Sequence, residues 1–240
     1  MTELLCHTDS YIKNFLAKVI GIDEAAHGVI LDRTAFYPGG GGQLCDTGKI
    51  SAGGKDYPVV KVKKSPDGIL HEISAEGDLP GVGLEVTGEI DWERRFKMMR
   101  THTAMHILCG VVFRDFGAQV TGGDMEPLKG RMDFEFENLS KDLVGVIEEA
   151  VNKEVAAARD VRVKILPRDE AFQIPDLIRT KINLLPPGIL EVRTIEIVGL
   201  DLQADGGTHV ANTREVGRMR IVDYKSKGKI NKRIYVELDE

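Results

Sequence analysis

Over the first ninety positions, apolar and β-branched residues come in short runs, at 11–22, 29–34, 57–63 and 84–90. Between them lie stretches of turn chemistry built on glycine or proline, at 38–42, 53–54, 66–68 and 80–83. β-Branched and aromatic side chains suit a pleated surface, and glycine supplies the positive φ of tight turns. Several short strands at this spacing predict a small β-barrel. After Asp91 the texture changes and apolar positions recur at helical spacing. A helix is predicted from an Asp91 N-cap to about Phe116, with Met98, Met99, Ala104, Met105, Leu108, Val111 and Val112 forming a broad buried stripe. A strand at 131–136 and a second helix at 140–159 follow, the helix placing Leu143, Ile147, Ala150, Val151 and Val155 on one face. Runs at 161–166, 190–197, 217–224 and 230–238 read as strands, the last two joined by a turn at 225–229. The predicted class is α+β: a small N-terminal barrel over residues 1–90, then a two-layer α/β domain over 91–240, with helices on a largely antiparallel sheet.

Composition sets limits on what such a chain does. Its 240 residues are 42% hydrophobic and 29% charged, enough for one large domain or two modest ones. No apolar run approaches the ~20 residues that cross a bilayer. The N-terminus lacks the basic start, apolar centre and cleavage site of a signal peptide, so no membrane role is expected. Cys6, Cys45 and Cys109 are odd in number and widely spread, which argues against disulfides and for a reducing, cytoplasmic setting. No obligatory protein partner is evident. A net charge of −6 disfavours nucleic acid on average. The charge is uneven, however. Eight basic residues fall between Arg214 and Arg233 against only Glu215 and Asp223, and Arg94, Arg95, Lys97 and Arg100 lead into a histidine motif.

That motif is His102, Thr103, Ala104, Met105 and His106, which puts two imidazoles four residues apart on one helical face. Both can approach one cation at bonds of about 2.0–2.1 Å. Thr103 stands where an HExxH protease carries its general base, which argues against that class. A second half-site, Asp205, Gly206, Gly207, Thr208 and His209, follows the stretch from Leu200 to Ala204 that contains Gln203. Two glycines between two potential ligands allow a tight turn that aims both at one point. An Asp-Gly pair is also an ordinary turn, and a histidine pair on a helix is also ordinary packing. His7, His27 and His71 have no comparable company and read as surface or core residues.

Taken together, the segments 31–43, ending in Gly39, Gly40, Gly41, Gly42 and Gln43, 102–106, 120–123 and 205–210 resemble the editing domain of alanyl-tRNA synthetase, and more closely the freestanding AlaX editing proteins of medium length. The resemblance implies a β-barrel joined to an α/β editing domain that hydrolyses the ester of mischarged alanine tRNA, with serine or glycine as the wrong amino acid. It implies one Zn2+ per chain, held by His102, His106, His209 and the residue at 205. That residue is usually Cys in the family and is Asp205 here. The exchange leaves three arrangements open: retained zinc, which is favoured, a weaker or different metal, or three histidines with Asp205 outside the shell. Thr121 matches a family position near the bound amino acid, where its hydroxyl would meet that of serine; Gln203 is the other candidate catalytic residue. The glycine run with Gln43 would contact the acceptor stem of the tRNA. Arg100, Lys129 and Arg131 are candidates for phosphate or terminal-adenosine contacts, and the basic stretch 214–233 for a broader track. Three rival readings are a non-catalytic tRNA-binding module with a structural zinc, a different metal hydrolase acting on a small amide or ester, and an editing domain for another amino acid.

Overall fold

The computed structural model describes residues 1–74, 77–175, 177 and 188–240. The chain forms two compact units, Met1–Phe96 and Lys97–Glu240. In the first unit the strands are β1 (Glu3–Leu4), β2 (Asn14–Asp23), β3 (Gly28–Leu31), β4 (Arg33–Thr34), β5 (Gly48–Ala52), β6 (Lys55–Ser65), β7 (Gly68–Ile73) and β8 (Glu85–Ile90). Six of them close into an antiparallel barrel in the order β2, β3, β7, β6, β5, β8, while β1 and β4 form a short parallel pair. Two barrel strands, β5 and β7, were not legible as apolar runs. The first carries Lys49 and Ser51, and the second carries His71 and Glu72. Pairing with neighbours, rather than their own pattern, makes them strands.

Alternation fills the barrel. Phe15, Ala17 and Val19 of β2 are buried, while Leu16, Lys18 and Ile20 between them face outward. Val29, Leu31, Phe36, Ile50, Val59, Val62, Val86 and Ile90 belong to the same core. His71 lies fully buried among them. Its Nδ1–H donates to the Val29 carbonyl at 3.2 Å, so Nε2 accepts from the Thr34 hydroxyl at 2.8 Å. Burial lowers its pKa to about 4, and the ring is neutral. Arg95, also fully buried, grips Asp46 through Nε at 3.0 and 3.1 Å and through Nη2, and donates to the carbonyls of Ser10 and Ala35 at 2.9 and 2.6 Å. Asp46 in turn brackets the glycine turn: its carboxylate accepts from the Tyr37 amide at 2.5 Å, and its own amide donates to the Tyr37 carbonyl at 3.0 Å.

Helix α1 (Trp92–Phe116) opens where Asp91 Oδ1 accepts from the Arg94 amide at 3.2 Å. Every position from 101 to 112 is buried, so the helix is enclosed all round there instead of along one stripe. The second unit adds β9 (Val120–Glu126), β10 (Lys129–Glu135), α2 (Lys141–Ala156), β11 (Val161–Pro167), the single-turn α3 (Arg168–Ala171), β12 (Glu191–Ile197), β13 (Asp201–Ala204), β14 (Met219–Ser226) and β15 (Asn231–Leu238). They make a four-stranded sheet, β14–β15–β10–β9, and a three-stranded sheet, β11–β12–β13, both antiparallel. Ser140 caps α2 by accepting from the Leu143 amide at 3.2 Å, and Val144, Ile147, Val151, Glu154 and Val155 are its buried residues. Leu143 and Ala150, expected on that face, are only half-buried; the face is rotated toward Val144 and Glu154. Glu154 is tolerated there because Arg114 and Arg159 each donate to it at 2.5 Å. Asn152 ties α2 to the start of β14 with paired bonds to the Met219 backbone at 2.8 and 3.0 Å. No helix among the described residues is long and apolar enough to cross a membrane.

Candidate metal centre

Two elements meet at one point. Helix α1 presents His102 and His106 from successive turns, and β13 is followed directly by Asp205 and a turn that returns His209. The turn closes because the Gly207 amide donates to Asp205 Oδ1 at 2.6 Å. Asp205 is set in place by β12: its amide donates to the Arg193 carbonyl at 3.1 Å, and Arg193 Nη1 donates to its carbonyl at 2.9 Å. The four possible ligand atoms of His102, His106, Asp205 and His209 all lie within 4.8 Å of one another. Asp205 Oδ2 is 3.4 Å from His102 Nε2, and Oδ1 is 3.1 Å from His209 Nε2. Bonds of about 2.0–2.1 Å in a tetrahedral shell place neighbouring ligand atoms about 3.3 Å apart, so the donor set fits a small divalent cation. Among the described residues this is the one cluster able to hold a metal ion.

The site is nearly closed to solvent, with His102, His106 and His209 only 3%, 6% and 3% exposed. The electrostatics follow from that burial. Burial alone would raise the Asp205 carboxyl, but the charge and hydrogen bonds of His102 and His209 hold it well below the usual carboxylate range. Burial and the charge of His102 push His209 well below the ordinary histidine range. Burial also acts to lower His106, but the hydrogen bond and charge of Asp201 raise it. Outer contacts orient the rings. His106 Nδ1 is 3.1 Å from Asp201 Oδ2, and His209 Nδ1 is 3.2 Å from the Thr103 hydroxyl, which also accepts from the Val210 amide at 3.2 Å. Thr103, Asp201 and Arg193 had no assigned role in the sequence. Thr103 sits inside the histidine motif, but nothing in a one-dimensional pattern pairs it with a residue 106 positions away.

The remaining candidates are dispersed. Thr121 is exposed on β9, where it is the extra residue of a bulge between Val120 and Gly122, and its hydroxyl donates to Asn231 Oδ1 at 3.2 Å. Gln203 is half-buried on β13, and its Nε2 donates to Asp201 Oδ2 at 2.7 Å. Gly40, Gly41 and Gly42 are exposed, the last two forming a hairpin turn closed by reciprocal amide–carbonyl bonds of 3.0 Å between Gly40 and Gln43. With φ of +80°, +130°, +59° and +84°, Gly39 to Gly42 hold a backbone that suits glycine alone. Gln43, which follows the turn, is buried to 3% exposure. The half-buried Arg100 guanidinium donates to the carbonyls of Val216 and Asp239 at 3.1 and 2.5 Å. Lys129 and Arg131 lie on β10, exposed and half-exposed, with ion pairs to Glu237 at 3.2 Å and Asp124 at 3.4 Å. In the basic stretch, Lys232 is buried against the carbonyls of Gly228 and Lys229 and Arg233 pairs with Asp133, whereas Arg214, Arg218, Lys227 and Lys229 are exposed.

Comparison with known proteins places this geometry in a family. Residues 7–94 match the family described as tRNA synthetases class II (A), and residues 192–235 match the threonyl and alanyl tRNA synthetase second additional domain. An alanyl-tRNA editing protein AlaX-M of Saccharolobus solfataricus is 44% identical over 238 residues, covering 98% of each chain. The AlaX-M protein of Methanosarcina mazei is 38% identical over 244 residues, covering 99% of this chain and 97% of its own. An alanine–tRNA ligase of Ignicoccus hospitalis is 41% identical over 227 residues, which are 92% of this chain and 24% of the ligase. With relatives this similar from end to end, the chain belongs to the AlaX-M family of alanyl-tRNA editing proteins.

Proposed function

We propose that this chain is an aminoacyl-tRNA deacylase acting in trans on alanine tRNA that carries serine or glycine. Water would add to the ester carbonyl, the bond to the terminal ribose oxygen would break, and free amino acid and intact tRNA would leave. One observation carries the reading: a buried three-histidine, one-carboxylate cluster in a chain that aligns over its full length with proteins named for alanyl-tRNA editing. The proposed ligands are His102, His106, Asp205 and His209, and the proposed metal is zinc, which accepts imidazole nitrogen and carboxylate oxygen alike. When bound, such an ion supplies a concentrated positive charge able to polarise a carbonyl or hold a substrate group in place.

The chain's own residues do the rest. Asp205 and the three histidines exclude solvent from the centre, which strengthens every electrostatic contact made there. Thr121, re-aimed by its bulge, is proposed to hydrogen-bond the serine hydroxyl, a partner that cognate alanine lacks. The exposed turn Gly39–Gly42 offers side-chain-free backbone to the acceptor end of the tRNA, and Lys129 and Arg131 offer charge to its phosphates. Gln203 acts through Asp201 rather than on substrate.

A second reading has a specific observation behind it. Four protein ligands fill a tetrahedral shell, as in structural zinc sites, and a tRNA-binding module with no catalysis would show the same cluster. The deciding experiment measures deacylation of serine- and alanine-charged alanine tRNA by metal-depleted and zinc-restored protein. Rapid, zinc-restored loss of serine with alanine spared is expected. A folded, zinc-loaded protein no faster than the uncatalysed control would overturn the enzymatic reading, and unfolding on metal removal would favour the structural one.

A further inference from the structure

We propose that Asp201 is the positioning residue of the metal centre: its buried carboxylate fixes the tautomer and ring plane of His106, and Gln203 fixes the carboxylate. The proposal rests on the metal reading above. A ligating histidine offers one nitrogen to the ion and needs a partner for the other N–H, and a carboxylate is the partner that also makes the ligating nitrogen more basic. Here Asp201 Oδ2 stands 3.1 Å from His106 Nδ1, which commits that nitrogen's proton outward and leaves Nε2 for the cluster. Gln203 Nε2 reaches the same oxygen at 2.7 Å, so the carboxylate has no freedom to swing.

The local sequence is shaped for this contact. Asp201 is the first residue of β13, and its side chain is wholly buried at a place where an isolated charge would be costly. Helix α1 makes room for it at Gly110, one turn beyond His106. A Cβ there would lie 3.0 Å from Asp201 Cβ, 3.0 Å from Leu200 Cγ and 3.2 Å from the Leu200 carbonyl oxygen. In a close-packed interior a side chain at 110 would therefore force Asp201 and Leu200 to give by a few tenths of an ångström. The three parts, an imidazole, its carboxylate and an amide behind it, form a chain of hydrogen bonds aimed from the core into the site. His209 has the neutral Thr103 hydroxyl in the equivalent place.

The test is zinc affinity by competition with a chelator, together with the visible absorption of the cobalt(II) form, for the wild type, Asp201→Asn, Asp201→Ala, His106→Ala and the Asp201→Ala/His106→Ala double variant. Thermal melts of the metal-free proteins report the fold. Loss of an outer-shell partner costs roughly 10–100-fold in metal affinity. Asp201→Asn, which keeps the volume, is expected near the lower end of that range and Asp201→Ala near the upper, both with altered cobalt spectra. Once His106 is removed, Asp201→Ala should cost little more, because the role runs through that ring. Wild-type affinity and spectrum in Asp201→Asn, or an undiminished loss in the His106→Ala background, would overturn the proposal, and the first of these holds even if Asp201→Ala fails to fold. A wild-type protein that binds no zinc would overturn the metal reading itself, a failure distinct from that of Asp201.

Discussion

Position 205 concentrates the chemistry of the site in one side chain. Asp205 accepts from the Gly207 amide, faces both His102 and His209, and sits 3.9 Å from the Arg193 guanidinium. A carboxylate there is a harder donor than a thiolate, and hard donors discriminate less strongly in favour of zinc over oxygen-loving divalent ions. Asp205→Ala should therefore weaken zinc binding by more than the roughly 10–100-fold set by an outer partner. Asp205→Cys should tighten zinc and cadmium binding relative to manganese. Competition titrations with the three metals measure both, and unchanged zinc affinity in Asp205→Ala would place the carboxylate outside the shell.

At the scale of the element, the glycine turn separates strain from function. Gly42 and Gly54 both hold positive φ in two-residue turns, at +84° and +78°. An L-residue in that region costs about 1–2 kcal/mol, so Gly42→Ala and Gly54→Ala should lower thermal stability alike, by several degrees. If the 39–42 turn contacts tRNA, only Gly42→Ala should also slow deacylation at a temperature where both variants are folded. Equal activities would remove the turn from the RNA-binding surface. The same turn is held by Asp46, whose carboxylate is clamped by buried Arg95. Truncating one partner strands the other's charge in the core, and Asp46→Ala is expected to lose about 3–5 kcal/mol in urea unfolding.

For the whole molecule, buried His71 gives the barrel a signature in acid. Its folded pKa of about 4 lies below the ordinary histidine value of 6.5, so the native ring refuses a proton that the unfolded chain accepts. The contribution is fully present above pH 6.5 and is lost as the pH falls through 4. The shift corresponds to about 3 kcal/mol. Urea unfolding at pH 7, 5.5 and 4.5 should show this loss in the wild type and a shallower one in His71→Gln, the difference isolating His71 from the histidines of the 102–209 cluster. Parallel pH profiles would show that His71 does not govern acid stability.

Sequence alone determined the change of texture near residue 90, the two long helices, the closing hairpin and the two histidine half-sites. Each is written locally, in periodicity, turn residues or spacing along a few turns of chain. Strands β5, β7, β9 and β13 were not legible, because their lysines, acids and glycines break the apolar pattern and backbone pairing with neighbours supplies what propensity does not. Only the tertiary structure decided that Asp205 stands within ligand distance of histidines a hundred residues away, that Asp201 backs His106, that Gln43 is buried, that Arg100 bonds backbone carbonyls, and that His71 is dry. Those outcomes depend on which surfaces the fold removes from water and on contacts between distant segments, and neither quantity is a property of any short stretch of sequence.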